Sequence, residues 1–333
     1  MKIIYQNSIS GTPTVSGGVG SLSADYAIAK VLNDVQKQPF IPNTHTSVTI
    51  TVTLKTTAAA NEMSFFMSYL AESVSVTFTG SGQAASTFTN TYDFTNPYFY
   101  LDKTIWNDSI FLDIPANTTA ISITLSNSTD VKSDIDTWSS NGTDSRGKFL
   151  ESGTDTILYE NYAQIRLGGR IQDNADSAFY QINRITGIGS GNTDIQVTPE
   201  GNSNADFTIS NMYLPIYVNT IRAGKSYEIF NPSVGVNVER QSFGVVKDRD
   251  SGINYRLGEI RKVYSGSVQI LEAERTTITN IIEGLRNRPV AMRVLDYQGE
   301  TAIFGSFFEI PSFTYSAQGS RIYDMSLSFT EIV

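Results

Sequence analysis

The sequence predicts a mainly β protein: an N-terminal antiparallel β-sandwich of jelly-roll type, then a C-terminal α+β part in which one helix packs on a β-sandwich. Three observations carry this. Apolar residues recur with a period of two along much of the chain, the mark of strands with one buried and one wet face. The alternate positions are filled by Ser and Thr, which favour extended backbone without adding charge. Only one stretch near the C-terminus carries a convincing helical apolar stripe, over 271–287.

The elements follow in order. Val48, Ile50, Val52 and Leu54 alternate with Thr49, Thr51, Thr53 and Lys55. Val74, Val76 and Phe78 repeat the pattern, as do Ile121, Ile123 and Leu125 after the turn-forming Pro115-Ala116-Asn117. A short helix is expected at 24–35, where Tyr26, Ile28, Ala29, Leu32 and Val35 share a face. Residues 126–156 are dominated by Asn, Ser, Thr, Asp and Gly and read as a long loop. Residues 157–185 hold enough apolar residues for two strands that close the first domain, and the Gly/Asn-rich stretch 187–206 reads as a connector. Val263–Ile270 reads as a strand. In the helix after it, Ile278, Ile281, Ile282 and Leu285 form the apolar stripe, and Arg288-Pro289 ends it. Three strands follow, at Val290–Tyr297, Thr301–Tyr315 and Ile322–Ile332. The expected domains are therefore an acidic sandwich at 1–186, a connector at 187–206 and an α+β domain at 207–333.

Composition narrows the function classes. With 333 residues, 40% of them apolar, the chain can bury a sizeable core, and two domains are the natural expectation. No stretch approaches the roughly 18–20 uninterrupted apolar residues of a membrane span. Nor does the opening MKIIYQNSIS have the apolar core of a secretory signal, so a soluble protein is expected. There is no cysteine, which removes disulfides, thiolate metal sites and cysteine nucleophiles together. There is one histidine, His45, at the entry to a strand, so a His-rich metal site is impossible. Charge is uneven. Residues 1–210 hold 11 Lys and Arg against 20 Asp and Glu, a net of −9, whereas residues 211–333 hold 13 of each. An acidic half without a basic, aromatic-laced stripe disfavours nucleic acid and anionic membrane as partners.

Few motifs carry chemistry. Asp248-Arg249-Asp250-Ser251-Gly252 opens like a calcium loop but lacks the later acidic ligands, so it reads as a hairpin turn. Asp134-Ile135-Asp136 reads as a solvated turn, and Ser190 in Gly189-Ser190-Gly191 falls in the connector. The sequons at Asn107, Asn117, Asn127 and Asn141 follow from the Asn/Thr-rich composition. Paired carboxylates of the kind that hydrolyse glycosides meet in space rather than in sequence, so spacing among 33 acidic residues carries no signal. No enzyme, cofactor or metal is expected. The aromatics Tyr98, Tyr100 and Trp106, with Trp138 in the long loop, are the candidate glycan-binding residues, because exposed rings stack on sugars.

A resemblance emerges from two segments. Leu22–Thr56, running through Ala29-Lys30-Val31-Leu32 into Val48–Leu54, is similar to the opening of discoidin-like, carbohydrate-binding-like sandwiches found on tailed-bacteriophage tail tips. Tyr264-Ser265-Gly266-Ser267-Val268 through Asp324–Val333 resembles the strand–helix–strand arrangement of tail-tube-like modules of distal tail and baseplate proteins. The resemblance implies a non-enzymatic structural component of the virion, assembled in the host cytoplasm. It implies a homo-oligomeric ring made through the C-terminal module, with other tail and baseplate proteins as partners and the N-terminal sandwich displayed outside. It also leaves a second reading, a lectin or adhesin that recognises host-surface glycan.

Overall fold

The computed structural model describes residues 1–16, 19–34, 38–44, 47–55, 60–69, 73–80, 86–91, 108–126, 136–140, 146–151, 167–175, 177–189, 192–199, 207–213, 215–229, 237–242, 245–249, 252–256, 260–286, 288–296, 299–307, 310–315 and 321–332. The chain is mainly β, every strand pair is antiparallel, and one α-helix lies among the described residues.

The first third supplies β1 (Lys2–Asn7), β2 (Thr14–Val15), β3 (Ser47–Thr53), β4 (Glu62–Tyr69), β5 (Ser73–Gly80), β6 (Ser86–Thr91), β7 (Asp108–Asp113) and β8 (Thr118–Ser126). The helix expected at 24–35 is replaced by two 3-10 turns, Ala24–Tyr26 and Ile28–Leu32, whose apolar side chains pack on the core without a hydrogen-bonded α-turn. The middle supplies β9 (Asp136–Ser140), β10 (Arg146–Glu151), β11 (Arg170–Asp173), β12 (Phe179–Gly189), β13 (Asn192–Pro199) and β14 (Phe207–Tyr213). These six close into a barrel in the order β10-β13-β12-β11-β14-β9. The last third supplies β15 (Tyr217–Glu228), β16 (Asn237–Ser242), β17 (Val245–Arg249), β18 (Gly252–Arg256), β19 (Ile260–Leu271), α1 (Glu272–Leu285), β20 (Val290–Asp296), β21 (Gly299–Phe307), β22 (Phe313–Tyr315) and β23 (Ile322–Glu331).

Two larger sheets organise the remainder. A five-stranded sheet runs β2-β3-β8-β5-β6. A ten-stranded sheet runs β16-β19-β23-β21-β20-β1-β15-β4-β7, with β22 added beside β23. Its order corrects the expected division at 187–206. β1 lies between β20 and β15, and β15 lies between β1 and β4, so strands from both expected domains share one sheet. The expected connector is mostly strand, since β12 and β13 pair across it. The long loop expected at 126–156 likewise holds β9 and β10. A closed barrel pairs every strand on both sides, so Gly- and Asn-rich segments can hold extended backbone there that their composition alone would assign to loops.

Side-chain parity decides the packing. Ile3 stands opposite Tyr227 and Met292, and alternation along β15 carries that face to Ala223 and Ile221. One end of the face, with Met63, Phe65 and Ile221, packs against Val48, Ile50, Val76, Ile121 and Ile123 of the five-stranded sheet. The other end, with Ile3, Met292, Met325 and Phe329, packs against Ile278, Ile282 and Leu285 of α1. The sheet curls the opposite way, bringing β7 against β21. Its concave side is lined by Ile4, Phe66, Ala291 and Phe304. Contacts reach across the curl: the Phe66 and Phe304 rings lie 5.7 Å apart, and the Arg293 guanidinium sits 5.2 Å above Phe111.

Candidate functional site

The expected glycan site is not assembled from the described residues. Tyr98, Tyr100 and Trp106 lie outside them. Trp138 is on β9 rather than in a loop, at the register position opposite Phe149 of β10 and Phe207 of β14. His45, Asp134, Ser190, Asp250 and Ser251 also lie outside the described residues. β17 and β18 pair directly up to Arg249 and Gly252, the ladder a hairpin requires at that point. Among the described residues no group of three His, Asp or Glu side chains is placed to hold a metal, and no helix is long and apolar enough to cross a membrane.

What stands out instead is the margin of the long sheet. β16 pairs with β19 only as far as Asn237 opposite Ser265. On its other side β19 pairs with β23 from Val263 to Leu271. At the end of this ladder Leu271 and Ile322 are cross-strand partners, 55% and 36% exposed. Next to them Tyr315, 59% exposed, pairs in register with Tyr323, with their rings 4.3 Å apart. Arg275 of α1 lies 5.0 Å over the Tyr323 ring and 5.2 Å over Phe313, so cation–π contact holds the aromatic group to the helix. The result is a sheet end that carries exposed aliphatic and aromatic surface, an arrangement suited to packing against another protein.

The outward face of the five-stranded sheet has the opposite character. Thr51 and Ser122, Thr49 and Thr124, and Ser47 and Ser126 are partners across β3 and β8, and Ser75 and Thr77 continue two of these rows on β5. Hydroxyls bond across the ladder, Thr49 to Thr124 at 2.9 Å. Among the described residues this face presents hydroxyl groups and no large apolar side chain.

Two buried charges complete the map. Arg222 is held by the carbonyls of Leu32 and Asn33, by Asp34 at 2.8 Å, and over the Phe304 ring at 4.9 Å. It thereby ties the 3-10 segment to β15 beside a cavity of about 210 Å³ that Leu285, Arg288 and Val290 also line. On the concave side, Lys2 reaches Glu62 at 2.6 Å and Asp113 at 3.1 Å. Burial pushes the Glu62 carboxyl up to about 7, with Asp113 adding to the rise and Lys2 opposing it. Hydrogen bonding from Glu62 and Lys2 holds Asp113 below the usual carboxylate range.

Neither feature was found by reading motifs. Lys2, Glu62 and Asp113 are far apart in the chain and meet only through strand order. Leu271 left a trace, because it is out of phase with Val268 and Ile270 and so belongs on the other face of β19. Compared with known proteins, the chain matches no family model, no curated protein and no solved structure.

Proposed function

We propose that the chain is a non-enzymatic structural component of a bacteriophage tail tip or baseplate, resident in the virion. It joins copies of itself and neighbouring tail proteins through the C-terminal part of its long sheet. The observation that carries this reading is the exposed apolar group at one end of β19 and β23, formed by Leu271, Ile322 and Tyr315. An exposed apolar patch is an aggregation hazard in a free monomer, and closed packing with neighbours around a ring removes it. The tail-tube-like likeness of Tyr264–Val268 falls on β19. The hydroxyl-rich sandwich face, which carries no comparable apolar patch, is the part turned away from the ring. The lectin reading rests on Trp138 of β9 and on Tyr98, Tyr100 and Trp106, which lie outside the described residues.

The test is the assembly state of the full chain, by sedimentation across a concentration series and by electron microscopy with and without tail proteins. Closed rings, or stable complexes with tail proteins, that Leu271→Asp abolishes are the expected result. A chain that stays monomeric throughout and captures no tail protein overturns the proposal.

A further inference from the structure

Three strands of the long sheet meet at one buried carboxyl group. Glu62 begins β4 and stands directly opposite Asp113 at the end of β7, and Lys2 reaches both from β1 on the far side of β15. The residue opposite Glu62 on β15 is Gly224, where an added Cβ would meet the Gln6 carbonyl oxygen at 1.6 Å, so nothing larger than glycine fits between β1 and β4. The Glu62 side chain is 3% exposed, Lys2 17% and Asp113 75%. Oε1 of Glu62 accepts from Lys2, while Oε2 is buried with no donor among the described residues.

That geometry is unfavourable for two ionised carboxylates. A bare buried oxygen carries the desolvation cost of an unmade hydrogen bond, and a second carboxylate beside it adds repulsion. A proton held on Glu62 removes both costs, because its hydroxyl donates to Asp113, which faces solvent and keeps its charge. The other charged groups around the cluster do not substitute for that proton. Arg293 of β20 stands opposite Lys2 and attracts Asp113, but its guanidinium lies over Phe111. Glu228 stands opposite Lys2 at the exposed end of β15, and Arg222 is engaged with Asp34.

We propose that Lys2, Glu62 and Asp113 form a proton-operated clasp on the N-terminal strand. With the proton in place, the cluster balances one ammonium against one carboxylate and locks β1 to the rim made by β4 and β7. When the proton leaves, Lys2 faces two carboxylates, Oε2 stays buried without a donor, and the hold on β1 weakens. The Glu62 carboxyl sits above its ordinary value in the fold, so its contribution is fully present below about pH 4.5 and is lost as pH rises through about 7.

The test is unfolding of the full chain by urea at pH 5.5 and 8.5, with amide exchange of β1 followed at the same two values and corrected for intrinsic rate. Linkage through Glu62 makes the unfolding constant about 30-fold larger at pH 8.5 than its other groups alone would make it. Glu62→Gln, which keeps a neutral side chain at every pH, loses that difference. Asp113→Asn, at an exposed side chain, moves the transition to lower pH by removing the neighbouring charge. In the parent chain, β1 amides lose protection at pH 8.5 more than β3 and β8 amides do. An unchanged pH slope in Glu62→Gln overturns the proposal. So does β1 exchange that simply tracks β3 and β8. Should Glu62→Gln fail to fold, an Asp113→Asn chain with the parent's transition pH overturns it alone.

Discussion

One face of the long sheet is covered in two ways. Over β15, β4 and β7 the cover is another sheet, which buries Met63, Phe65 and Ile221 against Ile50, Val76 and Ile123 and turns a hydroxyl-rich surface outward. Over β1, β20, β21, β23 and β19 the cover is the single 14-residue helix α1. A sheet covers a sheet strand for strand. A helix of this length is about 21 Å long and about 10 Å wide, against five strands spanning roughly 24 Å, so it leaves a margin uncovered. Exposed Tyr315, in register with Tyr323, lies at that margin, whereas Leu271 and Ile322 are exposed on the opposite face.

The most severe test of the comparison is truncation of one buried ring under each cover. Phe65→Ala and Phe329→Ala, both fully buried, are each expected to cost about 3–5 kcal/mol in urea unfolding. Because the two residues belong to one sheet, both substitutions should shift a single transition. Two separate transitions, each sensitive to one substitution, would break the picture of a shared sheet.

Ile278→Ala then asks how much the helix contributes. It faces Ile3, Met292 and Met325 and is 2% exposed, so a loss of about 2–4 kcal/mol is expected by the same measurement. A loss under 1 kcal/mol would mean that α1 rests on the sheet without sealing it.

Leu271→Asp sharpens the contrast between margin and hydroxyl face. Leu271 occupies the N-cap position of α1, where its side chain supplies no capping acceptor, and an Asp there favours the helix. Self-association should weaken at least tenfold, about 1.4 kcal/mol, while the monomer stays as stable as before. Thr51→Asp on the hydroxyl face should leave association unchanged. Equal effects of the two substitutions in sedimentation would show that the exposed Leu271–Ile322 pair is not special.

Smaller effects test the edges of each cover. The Glu274 carboxylate accepts from the Leu271 N–H at 3.0 Å, half of a capping box, and Glu274→Ala should cost about 0.5–1 kcal/mol of stability. On the hydroxyl face, Thr124→Ala removes the 2.9 Å bond to Thr49 and should cost about 0.2–1 kcal/mol. Circular dichroism melts of the two variants resolve them. A Thr124→Ala loss that exceeds the Glu274→Ala loss would reverse the expected order.

The comparison also bears on dissection of the chain. A cut at 187–206 divides the barrel between β12 and β14 and strips β15 and β20 of their partner β1. Neither piece is a natural folding unit, so assembly has to be measured on the whole chain.

Local pattern was enough to determine the strands under the sheet cover. Alternation of Val and Ile with Thr and Ser at 48–54, 74–78 and 121–125 identifies β3, β5 and β8 and which of their faces is buried, because a period of two is imposed by the backbone itself. Helix α1 was legible for the same reason, from its stripe at Ile278, Ile282 and Leu285 and the proline after it. Tertiary structure alone decided which strands are neighbours. Nothing in Lys2-Ile3-Ile4 announces that it will lie between β15 and β20, and nothing in Asn- and Gly-rich 187–206 announces a barrel wall. Hydrogen bonding between strands is blind to side-chain identity, so the composition of a strand says whether it is buried but not which strand lies beside it. The Lys2–Glu62–Asp113 cluster is a product of strand order and for that reason could not be read before the fold was known, whereas Leu271 left a trace by falling out of phase with Val268 and Ile270.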